Sequence, residues 1–315
     1  MTAAETAAWL LRRDNFLILT HLRPDGDTLG CAAGLCVALR RAGKTAAVLP
    51  NPEVTSTYAD YVSPYWASDG YHHETVVSVD IATAGLFPNN ARPYAEAVDL
   101  AIDHHPSYDG FAAECCVDPT LAACGELVYA ICLELGQMDP EIALPLYVAV
   151  STDTGCFVYS NTTPNTHRVA AALMEYGDFY RKVNKRCFRT VSLPRLKLES
   201  LLLAGMEFHD GGAIAIAGLS LDMMTQAGAG EADAEDLAAF AGQIQGVRIS
   251  ATLRELSPTR TKISLRTDDS LNATRTCALL GGGGHAAAAG ATVDLPLEQA
   301  RHAVLDAIRQ IQREG

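Results

Sequence analysis

Four short apolar runs constrain the fold of this chain more than any other feature: FLILT (16–20), AAVLP (46–50), VVSVD (76–80) and DLAID (99–103). Each is too short for a stable helix and apolar at successive positions, so it reads as a strand buried on both faces. Helical patterns lie between or after these runs. The first, 28–42, ends in RRAGK with Gly43 suited to a C-terminal cap; others fall at about 122–136, 140–152 and 165–176, the last with Asn165 as N-cap candidate behind Pro164. Strands alternating with helices predict an α/β fold, a mostly parallel sheet with helices on both faces. The opening stretch MTAAETAAWLLRRDNF lacks the parts of a leader and reads as an ordinary first helix.

With 315 residues the chain suits two domains. The pattern changes in the basic, aromatic stretch GDFYRKVNKRCFRTVSLPR (177–195), which reads equally as a basic surface patch or as a substrate-steering element. It sets an expected organisation of residues 1–185, a linker or helix over 186–205, and a smaller mixed α/β domain over 206–315. In that last part AIAIAGL (213–219), VRISATLRE (247–255) and TKISLRT (261–267) alternate like half-buried strands. SLNATRTCALL reads as a helix entering GGGGHAAAAG (281–290), and 296–313 as a closing amphipathic helix.

Composition narrows the function classes. Hydrophobic residues make up 49% and charged residues 19%, the balance of a folded globular protein. No apolar run approaches the roughly 18 residues a membrane span needs, and the expected location is the cytoplasm. Nine cysteines, an odd number without a C-x-x-C pair, read as buried thiols in a reducing compartment, against a disulfide framework or a zinc site. The net charge of −13 (24 basic against 37 acidic residues) argues against binding long duplex nucleic acid, but leaves room for a small anionic substrate.

The apolar runs end in groups that carry chemistry. FLILTH leads to His21, with Asp25 and Asp27 just beyond; VVSVD ends at Asp80; DLAIDHH ends at Asp103, His104 and His105; and VSTDTGCF places Asp153 after an apolar helix. In an open parallel sheet the carboxyl ends of the strands share one edge, so groups distant in sequence can meet there. Taken singly, a D-x-D is usually a turn and an HH pair usually surface or core, as expected for His72 and His73. Together, Asp25, Asp27, Asp80 and Asp153 carry four negative charges that two divalent cations would offset, with His21 and His104 completing a mixed oxygen and nitrogen set. Without thiolates the set favours Mn²⁺ or Mg²⁺ over structural zinc, with zinc still open. Paired cations are the usual apparatus of phosphoester hydrolysis, and His105 is a spare imidazole for a phosphate oxygen or a proton. The run GGGGHAAAAG lets backbone N–H groups approach a ligand; read alone, it is equally a tight helix-to-strand turn. It lacks the ending of a P-loop, and His285 favours an anion or nucleotide contact. Arg266 and Arg254 are candidate phosphate partners, or solvated strand arginines.

HLRPDGD, VVSVD, AIDHH and VSTDTGCF, in that order, resemble the four motifs of the DHH phosphoesterase superfamily, and GGGGHAAAAG resembles the signature of the DHH-associated C-terminal domain. The resemblance covers nearly the whole chain and is strongest to the nano-RNase A branch, bifunctional oligoribonucleases and 3′-phosphoadenosine 5′-phosphate (pAp) phosphatases. It implies a DHH catalytic domain, a DHH-associated substrate-binding domain and an active site in the cleft between them. It also implies one manganese on His21, Asp25 and Asp80 and another on Asp27, Asp80, His104 and Asp153, with Asp80 bridging. His105 would be the substrate-side histidine backed by Asp103, while His285, Gly283, Gly284 and Arg266 would grip the terminal nucleotide. The implied substrates are very short oligonucleotides (nanoRNA) and nucleotide 3′-phosphates, pAp going to AMP by attack of a two-metal-activated hydroxide. Neither long duplex nucleic acid nor a membrane is an implied partner, and the oligomeric state stays open, a homodimer included. A phosphodiesterase for cyclic di-AMP or its linear product is the near alternative, and a non-catalytic nucleotide sensor the distant one, although a sensor is expected to lose ligands. The sequence departs from the family pattern at Arg23, where asparagine is frequent, at Cys31, where serine is frequent, and at Tyr108-Asp109, where asparagine is common.

Overall fold

The computed structural model describes residues 1–234, 237–268 and 270–314. The chain divides into two compact units, Met1–Thr190 and Val191–Gly315. In the first, α1 (Ala3–Leu11) is opened by a capping box in which Thr2 and Glu5 satisfy each other's backbone N–H groups. Then come β1 (Phe16–Leu19), α2 (Gly26–Arg41), β2 (Ala46–Val48), the single turn α3 (Ala59–Val62), β3 (Thr75–Val79), β4 (Leu100–Asp103) and β5 (Glu114–Val117). Four helices close the unit: α4 (Cys124–Glu134), α5 (Pro140–Asp153), α6 (Pro164–Met174) and α7 (Tyr180–Phe188).

All five strands are parallel, in the order β2-β1-β3-β4-β5. The order reverses direction between β1 and β3, the point at which open α/β sheets form ligand crevices. Strands β1, β3 and β4 are buried at every position, as continuous apolar runs require. One face, with Phe16, Ile18, Val77, Val79, Leu100 and Ile102, packs on the α-helices. The other face, with Leu17, Leu19 and Val76, is covered by Phe87, Ala91 and Val98 from 3₁₀ turns and connecting loops, in place of full α-helices. Strand β5, Glu-Cys-Cys-Val, is neither alternating nor continuously apolar in sequence, and forms by pairing with β4 at the sheet edge.

The second unit holds α8 (Leu193–Ala204), β6 (Glu207–His209), β7 (Ile214–Leu219), α9 (Leu221–Ala227), α10 (Glu231–Ala234), β8 (Ile249–Ser257), β9 (Arg260–Thr267), α11 (Ala273–Ala278), β10 (Gly283–His285), β11 (Ala288–Val293) and α12 (Leu297–Glu314). Its mixed sheet runs β10-β11-β9-β8-β7-β6, with only β7 and β8 parallel. Strand β7 is buried throughout because Ile214 and Ile216 face the core under α12, whereas Ala215, Ala217 and Leu219 face one shared with Leu198 and Leu202 of α8. Residues 193–204, inside the expected linker, are thus a helix with its own core contacts. The glycine-rich run follows α11 and forms the β10–β11 hairpin. A Cβ on Gly282 would lie 2.1 Å from the Gly290 carbonyl oxygen, and one on Gly284 2.6 Å from the Ala289 Cα. These two glycines are required by strand approach, whereas Gly283 faces open space.

Two local expectations change. The cap of α6 is Thr163, whose hydroxyl accepts from Asn165 and Thr166 N–H, so Asn165 lies inside the first turn. All nine cysteines are free, but Cys115 is exposed on β5, and Cys156 and Cys187 are half-buried. Among the described residues, no helix is long and apolar enough to cross a membrane.

Candidate metal centre

The carboxyl ends of β1, β3 and β4 carry three of the predicted clusters. His21 lies two residues past β1, Asp80 directly after β3, and Asp103, His104 and His105 at and beyond the end of β4. Asp25 and Asp27 sit at the start of α2, and Asp153 at the end of α5.

Glycines on α2 bring that last residue within reach. Gly26, Gly30 and Gly34 recur every four residues and face α5: an added Cβ would lie 2.3 Å from Thr152 Oγ1, 2.2 Å from the Pro145 carbonyl oxygen and 2.8 Å from Leu146 Cδ2, respectively. Gly125 at the start of α4 is crowded in the same way by Ala149 of α5, at 2.7 Å. Only residues without side chains let these helix backbones approach so closely.

Three groups of ligand atoms result: His21, Asp25 and Asp80; Asp27, His104 and Asp153; and Asp80, His104 and His105. His21 Nε2 is 3.5 Å from Asp25 Oδ1 and 3.7 Å from Asp80 Oδ2. His104 Nε2 is 3.8 Å from Asp27 Oδ2, 3.5 Å from Asp80 Oδ1 and 3.6 Å from Asp153 Oδ2. These spans exceed hydrogen-bond length and suit atoms that share a cation. Both imidazoles are oriented through the other nitrogen, His21 Nδ1 lying 2.9 Å from the Leu22 carbonyl and His104 Nδ1 3.2 Å from the Leu121 carbonyl. An Nδ1–H donated to a carbonyl leaves the Nε2 lone pair facing the carboxylates, the arrangement of a metal-ligating histidine.

The carboxylates are held as firmly. Asp25 caps α2, accepting from Asp27 and Thr28 N–H at 3.0 and 3.2 Å. Asp27 accepts from Cys124 N–H at 2.7 Å and Gly125 N–H at 2.9 Å, and from the Cys31 thiol at 3.2 Å. Helix α4 has no capping side chain of its own at Ala123, so Asp27, 97 residues earlier, meets its first N–H groups and the positive end of its dipole. The Cys31 thiol thus takes the donor role that a serine hydroxyl would take there. Asp80 adopts left-handed backbone (φ 58°), and its N–H donates to the Ile102 carbonyl at 2.9 Å. Such strain at a site-forming aspartate costs about 1 kcal/mol and persists where the surroundings fix it.

Asp80 Oδ1 is buried and has no hydrogen-bond partner. Burial, then the charges of Asp153 and Asp25, push the Asp27 carboxyl well above the usual carboxylate range. Burial followed by Asp27 does the same at Asp80, and burial raises Asp153. Burial also opposes charge on His21, but pairing with Asp25 and Asp80 outweighs it and lifts the imidazole to about 11. At Asp25 burial is likewise outweighed, by His21 and two N–H groups, and the carboxyl is held low. These shifts share one origin: more negative charge converges here than the chain's own cations neutralise. An orphaned carboxylate oxygen beside two oriented imidazoles and further acids fits divalent cations with oxygen and nitrogen preference.

His105 stands apart from the other two imidazoles. Its Nδ1 is 2.8 Å from Asp103 Oδ1, a fully buried carboxylate, and this hydrogen bond raises the pKa of His105. Asp103 thereby orients His105. Arg23 takes left-handed backbone (φ 51°), which asparagine adopts at less cost than arginine, and its N–H donates to Glu53 Oε2 at 3.1 Å. Tyr108 and Asp109 brace the loop after β4: the Tyr108 hydroxyl accepts from Ala112 N–H, and Asp109 Oδ2 accepts from Ala84 N–H at 3.1 Å.

In the second unit, Arg266 of β9 and His285 of β10 both pair in register with Ala288 of β11. The two side chains share one sheet face, with a small residue between them and about 10 Å across two strand spacings. Among the described residues no carboxylate pairs with Arg266, whereas Arg254 is paired with Glu231. Several supports escape a sequence reading: the α4 N–H groups, the α2 glycine stripe, and Asn161, whose side-chain amide donates to the Ala122 and Asp153 carbonyls. The four-residue recurrence of Gly26, Gly30 and Gly34 was the available signal for the stripe.

A family model described as DHH family, N-terminal domain, matches residues 15–150, and one described as DHHA1 domain matches 213–314. The chain is 35% identical over 300 residues to the bifunctional oligoribonuclease and PAP phosphatase NrnA of Thermus thermophilus, covering 93% of this chain and 89% of that protein. It is 25% identical over 244 residues to the protein of the same name from Bacillus subtilis, covering 75% and 76%. Among solved structures, an exopolyphosphatase-related protein from Bacteroides fragilis superposes with a TM-score of 0.86 at 22% identity, covering 99% of this chain and 96% of that one.

Proposed function

The chain belongs to the DHH family and is a phosphoesterase, and from that premise we propose that it hydrolyses very short oligoribonucleotides and removes the 3′-phosphate of pAp to give AMP. The observation that carries this reading is the convergence of four carboxylates and two oriented imidazoles, with one oxygen of Asp80 among them left without a hydrogen-bond partner. The names of the Thermus and Bacillus relatives support the substrate class.

His21, Asp25 and Asp80 would hold one divalent cation and Asp27, Asp80, His104 and Asp153 a second, with Mn²⁺ the preferred ion. When bound, such a pair supplies Lewis acidity at a phosphoryl group and acidifies water. The chain's own residues do the rest. Asp25 and Asp27, fixed by N–H groups of α2 and α4, keep their oxygens in place without reorganising. Asp103 holds the Nδ1 proton of His105 and, by raising its pKa, favours the imidazolium, whose Nε2–H is then the donor free for a phosphoryl oxygen or the leaving group. Its 39% exposed side chain leaves it reachable by substrate. For the terminal nucleotide we assign Arg266 and His285, with the backbone N–H groups of Gly283 and Gly284.

The test is a panel of two- to five-nucleotide RNAs, pAp and cyclic dinucleotides, compared by kcat/KM with and without a chelator. Chelator-sensitive turnover of dinucleotides and pAp, with cyclic dinucleotides at least tenfold poorer, is the expected result. Preference for cyclic dinucleotides, or no hydrolysis of any phosphoester by Mn²⁺-loaded protein, overturns the reading.

A further inference from the structure

Five of the chain's 24 lysines and arginines fall within residues 181–189, in a protein whose net charge is −13. Of these, Arg186 is committed to Asp60 at 2.8 Å. Among the described residues, none of Arg181, Lys182, Lys185 and Arg189 has a carboxylate within ion-pair distance, and all four are exposed. Arg181 Nε donates to the Tyr180 hydroxyl at 3.4 Å, and Asp178 acts on it more weakly, without an ion-pair contact. Arg181 and Lys185 share one face of α7 at four-residue spacing, about 6 Å apart, Lys182 is the neighbour of Arg181, and Arg189 caps the C-terminal end of the helix. The cations therefore form a stripe along α7.

That stripe leads to the candidate metal centre. Helix α7 packs on α5: Asn184 Oδ1 accepts from the Tyr147 hydroxyl at 3.2 Å, and the Tyr147 ring meets the Tyr180 ring at 6.3 Å. Farther along, Cys187 and Arg189 lie within electrostatic reach of Cys156, three residues past Asp153. The helix thus runs beside α5 toward the end that carries Asp153. The turn there is left-handed at Gly155, Cys156 and Phe157 (φ 54°, 56° and 68°) and exposes Tyr159, whose ring lies against Gly155. Cations without a carboxylate partner, with an exposed aromatic ring on the adjoining turn, are what single-stranded nucleic acid binds, phosphates on the cations and a base on the ring.

We propose that the cations of α7 and its C-terminal cap, Arg181, Lys182, Lys185 and Arg189, with Tyr159 on the turn after α5, are the docking track for the phosphates of a short single-stranded oligonucleotide beyond its scissile bond. The track deepens the proposed function by separating the two substrates: an oligonucleotide has further phosphates to lay along it and pAp has none. An acidic polypeptide is the other polyanion a basic stripe could take, but a stripe that ends at a phosphoesterase centre favours the nucleic acid.

The test compares wild type with R181Q/K182Q/K185Q, exposed changes to a residue of similar helix propensity, with thermal unfolding to verify the fold. Binding of a fluorescent pentanucleotide with phosphorothioate linkages is followed by anisotropy across a salt series. Each lost phosphate contact lowers the slope of log K against log salt by about 0.7, so the triple variant is expected to lose about 2 from the slope. At low salt its Kd should rise at least tenfold, and the ratio of kcat/KM for a pentanucleotide to that for pAp should fall by a similar factor. Unchanged Kd and slope in the folded variant overturn the track, as does wild-type binding of a pentaglutamate peptide as tight as that of the pentanucleotide. The track rests on the oligonucleotide reading, yet binding and hydrolysis are read separately: a wild type that binds through the stripe but cleaves no oligonucleotide overturns that reading alone.

Discussion

Replacing Gly30 by alanine should damage the metal centre without touching a ligand. The new Cβ would lie 2.2 Å from the Pro145 carbonyl oxygen and 2.9 Å from the Ala149 backbone N, both fixed parts of α5. Restoring ordinary contact requires α2 and α5 to part by roughly 1 Å. Alanine gains about 1 kcal/mol of helix propensity over glycine, against an overpacking cost of about 1–3 kcal/mol that reaches its upper end when backbone cannot rotate away. A net loss of about 1–2 kcal/mol follows, read by urea unfolding. Asp25 and Asp27 ride on α2 and Asp153 on α5, so the same shift displaces ligands, and a displacement of that size costs on the order of 10²-fold in turnover. Gly34 is the internal control: its added Cβ meets the Leu146 side chain at 2.8 Å, which can change rotamer. G34A should therefore stay within about 1 kcal/mol of wild type. If G30A matches G34A in stability and retains wild-type kcat/KM, helix approach does not set the site.

Two further variants or reagents probe the other assignments. His285→Ala should raise KM for pAp and dinucleotides at least tenfold with kcat within twofold, measured by initial rates; a large fall in kcat at constant KM would move His285 into the transition state. In native protein, Cys115 should react first with a maleimide or aromatic disulfide reagent, because it alone among the nine thiols is exposed. Burial pushes Cys36 and Cys132 up to about 12 and Cys187 to about 11, so these should stay unmodified until denaturant is added. Rapid loss of Cys36 or Cys132 in native buffer, read by mass spectrometry, would contradict the packing of α2 or α4.

The sequence exposes the parts of this fold whose signal is local. Runs such as FLIL and VVSV announce buried parallel strands because both faces must be apolar, and the acids and histidines that follow them announce the sheet edge. Strand β5 is invisible because Glu-Cys-Cys-Val is neither alternating nor continuously apolar, and it exists by pairing with β4. Strands β10 and β11 hide for another reason: Gly and Ala have weak strand preference, and their hairpin is fixed by close approach, which removes side chains at Gly282 and Gly284. At the candidate centre the motifs mark the side chains that the structure brings together, but not what supports them. Asp27 meets α4 across 97 residues, Asp80 turns its carboxylate on left-handed backbone, and Asp153 reaches the others only through the glycine stripe. None of these is written within one window of sequence.

The most direct measurement is the number of Mn²⁺ ions bound per chain, by titration calorimetry on metal-stripped protein, for wild type, Asp80→Ala and Asp153→Ala. Asp80 is 3.7 Å from His21 and 3.5 Å from His104, on both sides of the proposed pair, whereas Asp153 groups with Asp27 and His104, on one side of it. Wild type should bind two ions, Asp153→Ala should weaken one of them at least tenfold, and Asp80→Ala should weaken both. A single ion in wild type, or two ions bound by Asp80→Ala with undiminished affinity, would contradict the paired centre bridged by Asp80.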